Sequence, residues 1–243
     1  MTMLEGWESE AGNWAAFTRV PGNDRAFESS NLPAFLELLP EPGVRTLDLG
    51  CGEGRLGRTL RALGHRIVGV DAAEAMVRFA VSHESPQTAL LADSAALPFR
   101  DEAFDLVIAY MSLHDMDAMP EAVAESARVL VPGGRLCAAI PHPLTSAGTF
   151  QGRKAPDAPF MISGSYLDPA PTADVIERGG IRLTFHSEHR PLEAYSRAAE
   201  RAGLLIEAVR EPRLPDVAAG EPSRKRWQRI PMFLHIRAVK PGR

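Results

Sequence analysis

LDLGCGEGR, residues 47–55, decides the reading of this chain. Apolar residues run into Gly50, Gly52 and Gly54, and a segment with helical spacing, RLGRTLRALG (55–64), follows at once. Glycines between a strand and a helix let the backbone reverse sharply and approach a ligand with no side chain in the way. The helix start beyond them presents unpaired N–H groups. Leu56, Leu60 and Leu63 share one face of that helix, and Gly64 is its C-terminal stop.

Sequence on either side repeats the alternation. VRTLDLG (44–50), RIVGVD (66–71), TALLAD (88–93), FDLVIAYMSL (104–113) and RLCAAIP (135–141) read as strands. AAEAMVRFAVS (72–82) and PEAVAESARVL (120–130) read as helices, the second stopped by Pro132-Gly133-Gly134. The near-continuous apolar run at 104–113 predicts a strand covered on both faces. Together they predict an α/β fold, a Rossmann-like parallel sheet with helices on both sides. NLPAFLELL (31–39) is a short helix before the first strand; PLEAYSRAAERAG (191–203) is a helix and LLIEAVREP (204–212) and PMFLHIRAV (231–239) are the closing strands. Residues 142–189 break the alternation and form an insert, with SYLDP and IRLTFH as short strands. The expected organisation is an N-terminal lid or cap (1–43), a cofactor-binding core (44–141), a substrate-side insert (142–189) and a C-terminal completion of the core (190–243).

Composition narrows the function classes. A chain of 243 residues, 45% apolar, buries a sizeable core without staples. A net charge of −4 argues against a nucleic-acid partner. Cys51 and Cys137 are too few for a disulfide framework or a four-thiolate zinc site, and no metal is expected. His186 and His189 are more simply turn or pocket residues than metal ligands. The opening MTMLEGWESEAGNW lacks the pattern of a secretory signal, and no apolar run approaches the roughly 18 residues of a membrane span. The expectation is a cytoplasmic protein without a membrane partner, monomeric or homodimeric.

Two ligand classes use a glycine turn of this kind, dinucleotides and S-adenosylmethionine. Gly52-Glu53-Gly54-Arg55-Leu56-Gly57 fits the dinucleotide pattern literally, with Asp71 at about the usual interval. Against it, Asp48 lies in the strand and Glu53 in the turn, where a pyrophosphate meets like charge and a sulfonium with its ammonium group meets opposite charge. Asp71, at the end of the second strand, suits the two ribose hydroxyls in either class. Its bland alternative is a helix cap. Asp93 ends the third strand and suits the adenine amine, or is simply a turn residue.

LDLGCGEGR, VGVD (68–71), LLADSAALPF (90–99), FDLVIAYMSLHDM (104–116) and RVLVPGGRL (128–136) together resemble class I S-adenosylmethionine-dependent methyltransferases. The nearest look is the small-molecule branch with the ubiquinone and menaquinone biosynthesis methyltransferases. The resemblance covers residues 44–141, and its five motifs stand in the family's order. It implies a seven-stranded sheet of order 3-2-1-4-5-7-6 with the seventh strand antiparallel. It also implies S-adenosylmethionine as cofactor, S-adenosylhomocysteine as product and a small-molecule methyl acceptor. Carried over by position, Asp48, Gly50, Cys51, Gly52 and Gly54 contact the methionine part and Asp71 holds the ribose. Ala72 and Met76 flank the adenine, Asp93 and Ser94 lie at its edge, and Tyr110 and Met111 sit beside the sulfonium. The segment after strand four, Tyr110-Met111-Ser112-Leu113-His114-Asp115, departs from the NPPY type of DNA and protein amino-group enzymes.

His114 is the first candidate general base and His142, at the end of strand five, the second; both fall at the ligand edge of the sheet and have pKa values suited to proton transfer. In the related enzymes the sequence before strand one folds over the cofactor. Trp14, Phe17 and Arg19 are the residues for that role here, with Arg19 a candidate partner of the cofactor carboxylate. The basic cluster Arg224-Lys225-Arg226 with Arg229 reads as a solvated loop. Phe150, Phe160, Met161, Tyr166 and Phe185 give the insert apolar surface for a pocket or for its own small core. The alternatives to methyl transfer are a non-methylating relative that binds the same cofactor, such as a cyclase or a regulatory protein, and an NAD(P)-dependent oxidoreductase.

Overall fold

The structure, a computed structural model, describes residues 2–82, 88–152, 155–216 and 222–242. Residues 153–154 of the expected insert lie outside them. Helix α1 spans Met3–Arg19, opened by a reciprocal capping box in which Thr2 and Glu5 bond each other's backbone N–H. A π-helical turn, Phe27–Asn31, leads into α2 (Leu32–Leu36). Then come β1 (Thr46–Leu49), α3 (Arg55–Ala62), β2 (Ile67–Asp71), α4 (Glu74–Ser82), β3 (Thr88–Leu91) and β4 (Phe104–Tyr110). After a 3-10 turn at Leu113–Asp115 follow α5 (Met119–Val129), β5 (Leu130–Pro141) and α6 (Pro143–Ala147). Two hairpins come next, β6 (Gly148–Phe150) with β7 (Phe160–Ile162), and β8 (Ala170–Arg178) with β9 (Ile181–His189). The chain closes with α7 (Leu192–Arg201), β10 (Leu205–Arg210), α8 (Pro222–Lys225) and β11 (Phe233–Val239).

The central sheet runs β10-β11-β5-β4-β1-β2-β3. Its pairings are parallel from β3 through β5, and β11 is antiparallel to both neighbours. Counted along the chain, the seven strands stand in the order 3-2-1-4-5-7-6, as expected. Side-chain alternation divides the apolar runs between two cores. Val107 and Ala109 of β4, with Leu136, Ala138 and Ile140 of β5, pack under α5 and α7. Leu106, Ile108 and Tyr110, with Cys137 and Ala139, face α2 and α3 through Phe35, Leu56 and Leu60. This two-sided burial is why both strands read as unbroken hydrophobic sequence.

Several expectations need correction. β5 begins at Leu130, so Pro132-Gly133-Gly134 lies within the strand; Gly133 N–H bonds the Lys240 carbonyl across from it. SYLDP forms bends, because Ser165 Oγ accepts from the N–H groups of Leu167 and Asp168 and curls the backbone. The first 43 residues, expected as a lid or cap, include the 17-residue helix α1. It packs on β9 and α4.

Candidate active site

The carboxyl ends of β1, β2 and β4 open into a cavity of about 1220 Å³. In a parallel sheet those ends converge where neighbouring connections leave in opposite directions, so ligands gather there. α1 and the β8–β9 hairpin supply further wall. Trp7, Trp14 and Phe185 form an edge-to-face trio with centroids 5.9–6.1 Å apart, and all three line the cavity.

The glycine turn is shaped by two constraints. Gly50 has φ +73°, and a Cβ there would lie 2.5 Å from Ser112 Cβ; both conformation and space demand glycine. Its N–H and that of Cys51 bond the Val70 carbonyl, tying the turn to β2. Gly52, at φ +55°, donates its N–H to Asp71 Oδ2 at 2.8 Å, while Ala73 N–H donates to Asp71 Oδ1 at 2.9 Å. Asp71 therefore anchors the turn and caps the approach to α4 at once. Burial raises its pKa, with the backbone N–H bonds acting the other way.

Asp48 is the most telling residue. It is 1% exposed, and its Oδ2 has no hydrogen-bond partner among the described residues. Burial, with repulsion from Asp71 second, pushes its pKa up to about 7. A buried carboxylate left in this state is a site prepared for a cation. Glu53 behaves differently. Its carboxylate is held by Arg58 Nη2 at 2.7 and 2.9 Å, so the repulsion expected from it toward a pyrophosphate is largely cancelled. Asp48 carries that argument instead.

Past β4 the chain turns at Met111, at φ +56°, whose N–H donates to the Ala139 carbonyl at 2.7 Å. Ser112 Oγ donates to the Leu49 carbonyl at 2.6 Å, fastening this corner to β1. His114 follows, buried, with Nδ1 unpartnered among the described residues. Burial, with Arg190 nearby second, lowers its pKa to about 3, so the ring is a neutral proton acceptor. Asp115 Oδ1 lies 3.2 Å from His114 Nε2 without hydrogen-bond alignment, and burial raises its carboxyl well above the ordinary range. Arg190 holds the segment: its Nη2 donates to the Met116 carbonyl at 2.7 Å, and the guanidinium pairs with Glu188.

The cavity brings together Trp14, Asp48, Gly50, Cys51, Gly52, Asp71, Ala72, Met76, Asp93, Ser94, Tyr110, Met111 and His114. Three predicted residues stand apart. Gly54 is not in the wall; at φ +88° it is the N-cap of α3. Arg19 is exposed and lies over the Phe79 ring at 5.7 Å. At 100° per residue it points roughly 140° away from Trp14 around α1, which takes it off the cavity face. His142 caps α6, with Nδ1 accepting from Leu144 N–H and Nε2 2.9 Å from Glu211 Oε1. Both ring nitrogens are committed outside the cavity. The basic cluster is also corrected: Arg224 and Arg226 are half-buried cavity residues, while Lys225 and Arg229 are exposed. Trp7 and Asp115 line the cavity without having been singled out for it. Trp7 had a signal, standing seven residues before Trp14 on one helical face. His189 bonds Ser146 and the Tyr166 carbonyl. Among the described residues no group of three or more His, Cys, Asp or Glu is placed to hold a metal, and no helix is long and apolar enough to cross a membrane.

Residues 47–138, which hold this glycine turn and the strand ends around it, match the family described as methyltransferase domain. Over these residues the chain is similar to methyltransferase domains. A solved S-adenosylmethionine-dependent methyltransferase from Mesorhizobium loti is 26% identical, with a TM-score of 0.70, over 85% of this chain and 96% of its own. Malonyl-[acyl-carrier protein] O-methyltransferase of Methylococcus capsulatus is 36% identical over 111 residues, 44% of this chain and 40% of that protein. The human mitochondrial arginine-hydroxylase NDUFAF5 is 34% identical over 98 residues, 40% of this chain and 28% of that protein. The matches span less than half the length of these curated relatives. The cofactor of the methyltransferase domain is S-adenosylmethionine, and its charges suit the residues present. Asp48 offers a buried Oδ2 without a partner among the described residues to a cation, and a Cβ built at Gly52 would stand 3.6 Å from the Trp14 indole nitrogen.

Proposed function

We propose that this chain transfers a methyl group from S-adenosylmethionine to an O, N or C atom of a small-molecule acceptor. The carrying observation is the buried Asp48 Oδ2, without a partner among the described residues, beside a glycine turn anchored by Asp71. When bound, the cofactor supplies a sulfonium methyl group open to in-line displacement. Asp48 receives the ammonium group of the methionine part, and the backbone of Gly50, Cys51 and Gly52 leaves room for it. Beyond the backbone N–H bonds from Gly52, Ala73 and Ala72, the Asp71 carboxylate accepts from the ribose hydroxyls. Ala72 and Met76 flank the adenine, with Asp93 and Ser94 at its edge. Trp7, Trp14 and Phe185 keep water from the reacting groups. Where the acceptor loses a proton, His114 at the cavity takes it as a weak base, because burial holds its pKa near 3 rather than in the range expected of a free imidazole.

A dinucleotide is disfavoured because its pyrophosphate would meet Asp48. A second reading is favoured by the likeness to arginine-hydroxylase NDUFAF5. It holds that the chain binds the cofactor without transferring its methyl group. Incubation with methyl-labelled S-adenosylmethionine and a library of small acceptors separates the two. Label appearing in an acceptor, with S-adenosylhomocysteine in equal amount, supports the first reading. Cofactor binding without label transfer across the library supports the second.

A further inference from the structure

The cofactor roles leave one part of the cavity unused, and its charge is opposite. The acids Asp48 and Asp71 stand at the β1 and β2 ends, with Asp93 just past β3. Glu53 is paired by Arg58, and Asp115 and Asp117 follow β4. The remaining walls carry arginines: Arg25 before the π-helical turn, Arg55 on α3, Arg178 on β8, and Arg224 and Arg226 on the segment leading into β11. Among the described residues of those elements only Asp24 adds a carboxylate to the cavity, and Arg55 pairs with it. Because β11 is antiparallel to β5, its first residues lie at the edge where β5 ends, on the far side of β4 from the acids.

Two donors in these walls are buried without a hydrogen-bond partner among the described residues, Arg226 Nε and the Tyr110 hydroxyl. Arg226 is braced: its guanidinium lies 4.9 Å from the Phe150 ring, which meets Trp227 edge-on at 4.8 Å. A buried donor with nothing to bind is costly, and a ligand oxygen relieves that cost. A guanidinium binds carboxylate and phosphate oxygens most strongly. Phe27, Trp227, Met232 and Phe233 give the same walls an apolar lining.

We propose that the methyl acceptor is an organic anion, an apolar body bearing a carboxylate or phosphate group, and that Arg226 is the residue that selects it. The inference rests on the methyl-transfer reading and adds the acceptor's chemical class. The test uses the full chain saturated with S-adenosylhomocysteine. It is titrated calorimetrically with 3-phenylpropionate, 2-phenylethyl phosphate, 3-phenylpropanol and 3-phenylpropylamine. At least one anion binds about tenfold or more tightly than the alcohol, as a charge-assisted hydrogen bond requires; which anion wins identifies the head group. Arg226→Gln abolishes the preference and leaves S-adenosylhomocysteine affinity unchanged, while Arg226→Lys keeps part of it. The proposal is overturned if, with S-adenosylhomocysteine bound normally, neither anion binds or the alcohol or amine binds as well. It is equally overturned if Arg226→Gln keeps the preference. Failure of the wild type to bind S-adenosylhomocysteine at all strikes instead at the methyl-transfer reading.

Discussion

Cofactor affinity should depend on the protonation of Asp48. Burial and the nearby Asp71 push its pKa up to about 7, so at neutral pH the empty site is divided between charged and neutral forms. Only the carboxylate attracts the ammonium group of the ligand. The apparent dissociation constant is then the intrinsic one divided by the ionised fraction, which falls from about 0.76 at pH 7.5 to about 0.03 at pH 5.5. Affinity for S-adenosylhomocysteine should therefore drop roughly twenty-fivefold across that window, about 1.9 kcal/mol. Binding near pH 6.5 should also release a proton, visible as a dependence of the calorimetric heat on the buffer's ionisation enthalpy. Asp48→Asn should bind weakly and with a much flatter pH profile. Wild-type affinity that stays constant between pH 7.5 and 5.5 would refute the reasoning, because it would mean that the Asp48 carboxylate does not meet the ligand's charge.

The same residue makes a stability prediction of opposite sense. A carboxyl whose folded pKa lies above its unfolded value holds its proton longer in the native state, so its contribution to stability falls as pH rises from about 4 to 7. Asp48→Asn should raise stability by roughly 2–4 kcal/mol at pH 8, with the gain fading toward pH 4, as read by urea unfolding. His114→Ala should lower turnover and leave S-adenosylhomocysteine affinity nearly intact. Because burial holds the ring's pKa near 3, wild-type kcat/KM should show no inflection from this residue around pH 6.5; unchanged turnover in His114→Ala would contradict the base role, and a histidine-type inflection that the substitution removes would contradict the lowered pKa. Gly50→Ala should lose cofactor binding and about 2 kcal/mol or more of stability, from a left-handed backbone with a Cβ 2.5 Å from Ser112 Cβ; calorimetry and thermal melting check both. Arg190→Met should cost roughly 1.5–3 kcal/mol by removing the charge-assisted bonds to Glu188 and to the carbonyl of Met116, lowering Tm.

What could be read from the sequence follows from how local each signal is. Strand β4 announced itself because both its faces are buried, and the glycine turn because positive φ at Gly50 and Gly52 excludes most side chains. Asp48 could be suspected as a charge in an otherwise apolar strand. Its lack of a partner could not, since that depends on every group packed around it. Glu53 was misjudged for the same reason, as Arg58 lies five residues on and turns back to it. Arg19 and His142 had suitable chemistry in suitable segments, but helix phase and an α6 cap decided their directions. Arg226 was legible in principle: an antiparallel last strand starts at the ligand edge, so the segment before it borders the site. Asp115 and Phe185 reach one cavity through the packing of β9 against the post-β4 turn, which no local pattern encodes.

The most direct test is calorimetric titration of the purified protein with S-adenosylhomocysteine, with NAD and NADP alongside. The account predicts micromolar binding of the sulfur nucleoside, lost on Asp71→Ala, and no binding of either dinucleotide. Dinucleotide binding with no response to S-adenosylhomocysteine would contradict it.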